Sequence, residues 1–176
     1  MNKKFSHYRQ LWEQQFPTLR EVSVTEDGVL TNAYCVDCRF CCGPQAEEDP
    51  FPMPLLDSQI SDSTPEDFHL LDKRTACLDR RGCKALTPSG CRLDRALRPV
   101  ACNIFPIVLV NNSLYLYRIC PASMFVPDQA MQRLARRVRD RLDILPVADV
   151  CRISITRRPE DLAMKYQDLH LPVYGR

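Results

Sequence analysis

Eight consecutive residues hold four cysteines: Cys35-Val36-Asp37-Cys38-Arg39-Phe40-Cys41-Cys42. This C-x2-C-x2-C-C run constrains the chain more than any other feature. Two intervening residues let a backbone wrap a metal so that both thiolates reach it, which is why C-x2-C recurs in zinc and iron–sulfur sites. There are ten cysteines in 176 residues, the others being Cys77, Cys83, Cys91, Cys102, Cys120 and Cys151. Inert cysteines would be scattered through apolar surroundings, whereas clustering at ligand spacing points to metal. In a reducing compartment such usage means metal or redox chemistry rather than disulfides. The opening segment, MNKKFSHYRQLWEQQF, has two lysines but no apolar run of signal-peptide length after them. The longest apolar stretch, residues 104–110, is seven residues long and contains Pro106, against the ~20 residues that a membrane helix needs. The expectation is a cytoplasmic protein with no membrane segment.

Cys35, Cys38 and Cys41 match the run of bacterial ferredoxins, in which a further ligand is followed by proline; Cys120-Pro121 supplies such a pair at a distance. Cys41 and Cys42 are neighbours, and successive side chains diverge in extended backbone. One of the two is therefore expected to serve a second site or to lie behind the first. Cys83, Cys91 and Cys102 offer thiolates for that second site. These eight cysteines allow two zinc sites of four thiolates each, or one iron–sulfur cluster with spare thiols. His7, His69 and His170 stand away from the cysteine spacing and read as ordinary histidines. No register of the cysteines gives C-x3-C-x2-C, and Cys35–Cys38 does not head the βαβ pattern of a thioredoxin. The five glycines are too far apart for a GxGxxG or GxxxxGK loop. A net charge of +2 is too near neutral to imply nucleic acid or an anionic membrane.

Around the cysteines the pattern predicts short elements. Phe5, Tyr8, Trp12 and Phe16 recur at helical spacing, so a helix is expected over 3–16, and a hairpin over 22–30. Residues 44–54, with four prolines, read as an extended loop. A helix beginning at Ser63-Thr64-Pro65-Glu66 is expected to run through Phe68, Leu70 and Leu71. Between Thr75 and Leu93 the turns 79–82 and 87–90 each precede a cysteine, Cys83 or Cys91. A second hairpin is expected from 104–110 and 114–119 across Asn111-Asn112-Ser113, with Leu114 and Leu116 facing opposite Tyr115 and Tyr117. The clearest helix is 127–145, with Met131, Leu134, Val138, Leu142 and Leu145 on one face and five arginines interleaved with acids on the other. That second face reads as solvated. A last helix is expected over 159–169.

The cysteine blocks resemble a known family. Cys35-x2-Cys38-x2-Cys41-Cys42, then Gly82-Cys83-Lys84-Ala85-Leu86, Gly90-Cys91-Arg92-Leu93 and Arg98-Pro99-Val100-Ala101-Cys102-Asn103-Ile104-Phe105-Pro106 are similar, in order, to the pattern of the CxxCxxCC (YkgJ-type) zinc- or iron-chelating proteins. Cys120-Pro121 resembles its terminal cysteine. The likeness spans about half the chain, and Asn103 stands where that family usually has arginine. The resemblance implies that Cys35, Cys38, Cys41, Cys42, Cys83, Cys91, Cys102 and Cys120 are the metal set, and it leaves Cys77 and Cys151 as structural. Longer relatives of that kind, resembling flagellin lysine methylases, carry an iron–sulfur cluster, which favours a cluster here. The chain lacks their glycine-rich loop for a methyl donor.

The expected fold is a small, irregular, cysteine-rich α+β domain with short hairpins and surrounding helices. A single domain over 1–176 is expected, with a metal-binding core at about 35–121 and a helical part at about 122–176. The expected cofactor is an iron–sulfur cluster, [4Fe–4S] by the ferredoxin likeness, held by Cys35, Cys38, Cys41, Cys42 and Cys120. Its role is electron transfer or structural support for a protein partner. The alternatives are a zinc-bound structural or interaction module and, more weakly, a cluster-dependent modifying enzyme. No general base, nucleophile or nucleotide loop is visible, so a non-enzymatic role is favoured. Arg98-Pro99 is expected to aim Cys102, with Arg98 offsetting thiolate charge or bonding carbonyls. Gly43, Gly82 and Gly90 each lie within one residue of a cysteine, so backbone freedom is concentrated beside the ligands.

Overall fold

The computed structural model describes residues 41–45, 50–60 and 64–175, together with Gln10 and Gln14. Cys35, Cys38, the hairpin expected over 22–30 and the helix expected over 3–16, apart from Gln10 and Gln14, lie outside the described residues. Helices and antiparallel sheets together make an α+β structure. Among the described residues no helix is long and apolar enough to cross a membrane.

The cysteine-bearing half is built on β1 (Phe51–Pro54), β2 (His69–Asp72) and β3 (Thr75–Leu78), ordered β1-β3-β2. Ala76 and Leu78 of β3 bury into a core with Met53, Leu55, Phe68, Ala85 and Leu93. The loop expected over 44–54 thus ends in a strand. Its prolines do not prevent this, because β1 is an edge strand and Pro52 and Pro54 forgo only outward donors. The helix expected through Leu71 stops early: α1 is Thr64–Asp67, and the chain then turns into β2. Phe68 and Leu70 both reach the same core, and a spacing of two is a strand period, not a helical one. His69 therefore sits on a strand, in register with Cys77. The small hairpin β4 (Leu86–Thr87) and β5 (Gly90–Cys91) pairs Leu86 with Cys91, as the turn signals predict.

The second half begins with α2 (Val100–Ile104), followed by β6 (Ile107–Val110) and β7 (Ser113–Tyr117). Asn111 and Asn112 adopt positive φ, 48° and 59°, which suits a two-residue hairpin turn. Leu114 and Leu116 are buried while Tyr115 and Tyr117 are half-buried, so the predicted alternation holds. β6 is buried at every residue because both faces are covered, Ile107 and Leu109 on one side, Val108 and Val110 on the other. Then come α3 (Ala122–Phe125), α4 (Asp128–Leu142), α5 (Val147–Ile153), α6 (Pro159–Lys165) and β8 (Tyr166–Pro172). The apolar stripe of α4 is as predicted: Met131, Leu134, Val138 and Leu142 are all in the larger core. The helix is shorter than 127–145 because Pro127 is its extended N-cap and Asp143 closes it. Two other departures matter. α5 was not anticipated, its apolar face being only Val150 and Ile153. The helix expected over 159–169 gives way at Tyr166 to β8, which pairs along β7 with Tyr117 opposite Tyr166. The open edge of β7 takes the segment, and its strand pairing overrides local helix propensity. The C-terminal part is therefore mixed rather than purely helical.

Candidate metal centre

The end of the first cysteine run docks on the turn that precedes Cys83. In that turn Gly82 N–H donates to the Asp79 carbonyl at 2.9 Å. The Gln45 N–H donates to the same carbonyl at 2.9 Å, and the Cys83 N–H donates to the Cys42 carbonyl at 2.9 Å. Gly82 is at φ 74°, and a Cβ there would lie 3.1 Å from Gly43 C and 3.2 Å from both Cys42 O and Pro44 N. Only glycine permits both that conformation and that approach. Arg81 clamps the Asp79 carboxylate through Nε and Nη2. These hydrogen bonds, first the side-chain one, hold the Asp79 carboxyl down to about 2 from 3.8. Its folded pKa is depressed, so the stabilisation is complete above pH 3.8 and is lost as pH falls through about 2. NMR titration of the Asp79 carboxyl carbon is expected to give a midpoint near 2, moving back toward the ordinary value in Arg81→Ala.

Four thiols stand within reach of one another's charge. Cys42 is lowered to about 7, chiefly by a hydrogen bond with Cys41, against burial and with help from the Arg98 charge. The two sulfurs are 4.0 Å apart. The expected divergence of Cys41 and Cys42 assumed extended backbone, but both residues lie in a turn. Cys83 is raised by burial first, while backbone N–H groups of Ala85 and Leu86 counter it and charge on Cys42 or Cys91 adds to it. Cys102 is pushed up by burial, then by Cys42, Cys83 and Cys91, with Arg98 opposing. As a residue Cys102 is exposed, yet its thiol donates to Met53 Sδ at 3.6 Å. Met53 belongs to the core that Cys83 and Cys91 also touch, a contact with no sequence signal because methionine there reads as filler.

Arg98 takes up one of its expected roles, bonding a carbonyl. Its Nε donates to the Leu93 carbonyl at 2.9 Å, and its charge bears on Cys42 and Cys102. Pro99 is the N-cap of α2, and its carbonyl accepts the Cys102 N–H at 2.9 Å. Asn103 has a role of its own. Its Nδ2 donates to the carbonyls of Arg95 at 2.9 Å and Arg98 at 3.3 Å, fastening the bend that leads into α2. Asn103→Ala is expected to cost about 1 kcal/mol in urea unfolding, the net worth of such bonds. Asn103→Asp should cost at least as much, since a carboxylate cannot donate to carbonyls.

The other predicted cysteines are elsewhere or outside the described residues. Cys120 is 5% exposed within the larger core, and its carbonyl accepts the Ser123 hydroxyl at 2.7 Å. Cys77 is 3% exposed on β3. Cys151 is exposed on α5, with Asn112 Nδ2 at 3.8 Å. His69 is lowered by burial first and then by Arg81, and His170 is exposed beside Asp168 at 3.5 Å; neither approaches the four thiols through any contact described. Among the described residues, no three cysteine, histidine, aspartate or glutamate side chains are grouped so as to hold a metal ion. Comparison with known proteins gives no match: no family model, no curated protein and no solved structure resembles the chain.

Proposed function

We propose that the chain is a cysteine-cluster metal-binding protein that holds an iron–sulfur cluster, [4Fe–4S] in type, for electron transfer or for structural support of a protein partner in the cytoplasm. One observation carries the reading. Cys42, Cys83 and Cys91, from separate stretches of chain, all bear electrostatically on Cys102, and Arg98 bears on Cys42 and Cys102. Four ionised thiols there repel one another, and a cation among them reverses that balance, since metal binding displaces thiol protons. The N–H groups of Ala85 and Leu86 and the charge of Arg98 suit a thiolate site, which carries more negative charge than its metal offsets. Cys35 and Cys38 belong to the same run as Cys41 and Cys42 and are proposed to join them, whereas Cys120, seated in the larger core, stands apart from this neighbourhood. The resemblance of the cysteine blocks to the CxxCxxCC family supports the same choice. When bound, the cluster would supply one-electron chemistry, while the chain supplies thiolate ligands and the hydrogen bonds that set their charge.

Zinc is the second reading. Its support is the number of thiols in the neighbourhood: four sulfurs are the full complement of a structural zinc site. Anaerobic purification with metal and sulfide analysis separates the two. A brown protein with iron and acid-labile sulfide, absorbing near ~400 nm, is the expected result. A colourless protein with stoichiometric zinc would replace it by the zinc reading, and a metal-free protein from both preparations would end both. Cys83→Ser and Cys102→Ser are each expected to lose most of the bound metal, whereas Cys151→Ser keeps it.

A further inference from the structure

We infer that the corner formed by the end of α4, the α4–α5 link and the C-terminal tail is a docking surface for a protein partner that presents an apolar anchor within an acidic surround. Ile144, Val147 and Tyr174 are 61%, 50% and 72% exposed, and they are three of the six large apolar side chains most exposed among the described residues. The tail that carries Tyr174 is packed against the link that carries Ile144 and Val147. A Cβ on Gly175 would lie 2.9 Å from the Leu145 carbonyl oxygen and 3.0 Å from Val147 Cα.

Exposure of Tyr174 is not the fraying of a loose end. Val173 is 1% exposed in the larger core, and its N–H donates to the Asn112 carbonyl at 2.8 Å. The Tyr174 N–H donates to Asp143 Oδ1 at 2.9 Å. The backbone is thus held at the base of an outward ring. An aromatic side chain with few rotatable bonds costs little ordering entropy on binding and is a frequent interface anchor.

The charge on α4, the helix that leads into this corner, selects the partner. Arg133, Arg136 and Arg137 lie on α4 within one turn of each other, all exposed, and none has an ion-pair partner among the described residues. Like charges at such spacing repel one another, and an acidic partner relieves that repulsion. The nearby acids are already engaged: Asp140 with Arg139 at 2.9 Å, and Asp143 with Arg139 at 3.9 Å and with the Tyr174 N–H. A second copy docking by this same patch would bring arginine rows together, because a two-fold contact sets each surface against itself. Nucleic acid fits less well, since aliphatic Ile144 and Val147 offer no stacking and Asp140 interrupts the basic row.

The test uses the full chain as purified. A random-peptide display library is selected on the protein and counter-selected on Tyr174→Ser and on the triple charge reversal Arg133→Glu/Arg136→Glu/Arg137→Glu. Enriched peptides are expected to combine acidic residues with an aromatic or aliphatic anchor. Their affinity should fall by about tenfold or more in each variant, the size of one interface hot spot, and should weaken with added salt. Unchanged thermal melting of the variants keeps the loss from being a folding effect. Enrichment without acidic residues, or binding retained by both variants, would overturn the proposal. So would oligouridine or phosphatidylserine vesicles binding in place of the peptides, or self-association that Tyr174→Ser abolishes in sedimentation equilibrium.

Discussion

Removal of the proposed metal is expected to unfold the cysteine-bearing half while α4 and its sheet stay ordered. A structural thiolate metal contributes on the order of 10 kcal/mol to folding, an amount comparable to the whole stability of a domain. The two halves differ in what else holds them. Around the strands β1, β2 and β3 the core is seven buried side chains, Met53, Leu55, Phe68, Ala76, Leu78, Ala85 and Leu93, two of them alanine. Around α4 it is much larger, with Ile107, Leu114, Met131, Val150 and Val173 all nearly sealed. Hydrogen exchange before and after treatment with a strong chelator measures this directly. Amides of β3, β4 and β5 should lose protection and those of α4 and β7 should keep it. Equal protection across the chain after the metal has gone would show that the centre does not hold the fold.

Gly82→Ala has the next largest expected effect, about 2–5 kcal/mol of destabilisation. A left-handed backbone costs alanine about 1–2 kcal/mol, and forced overpacking adds about 1–3 kcal/mol. The atoms in the way are backbone atoms of Cys42, Gly43 and Pro44, so no side chain can swing aside. Strain is then relieved by undocking the first cysteine run, and bound metal should fall with stability. Gly175→Ala makes the comparison. It also sits at positive φ, 75°, and meets backbone at 2.9 Å, but at the corner beside α5. It should lower the melting temperature without changing metal content. Equal metal content in the two variants would mean that the Cys42–Cys83 contact is not part of the centre.

Much of the cysteine-bearing half was legible because its signals are local. Asp79 to Gly82 and Thr87 to Gly90 are turns by composition, and they place Cys83 and Cys91 as predicted. Leu114, Leu116 and the α4 stripe were legible for a similar reason, since their periodicities belong to single elements. The failures arise where strand pairing decides. Phe68 to Leu71 and Tyr166 to Pro172 each followed a helical start, and each was taken over by pairing, the first with the next strand β3 and the second with the remote strand β7. The pairing of Asp79 with Gln45 and the seat of Cys102 on Met53 have no local signal at all. At the proposed centre, residue types and spacing named the thiols, but which of them share a neighbourhood depended on docking between segments. Asn103 shows the same limit: its departure from the family pattern was visible, whereas its bonds to Arg95 and Arg98 were not.

The dispersal of the four thiols along the chain has a consequence for biosynthesis. Cys102 follows Cys42 by sixty positions, and translation proceeds at about 5–20 residues per second. For roughly 3–12 seconds the first cysteine run is therefore outside the ribosome, or nearing its exit, without Cys102 to meet it. During that interval its paired sulfurs are open to oxidation and to the wrong ion. On the proposed reading, a protein assembled this way would depend on metal delivered after most of the chain has emerged, so its yield in a cell should respond to the timing of metal supply as much as to the amount.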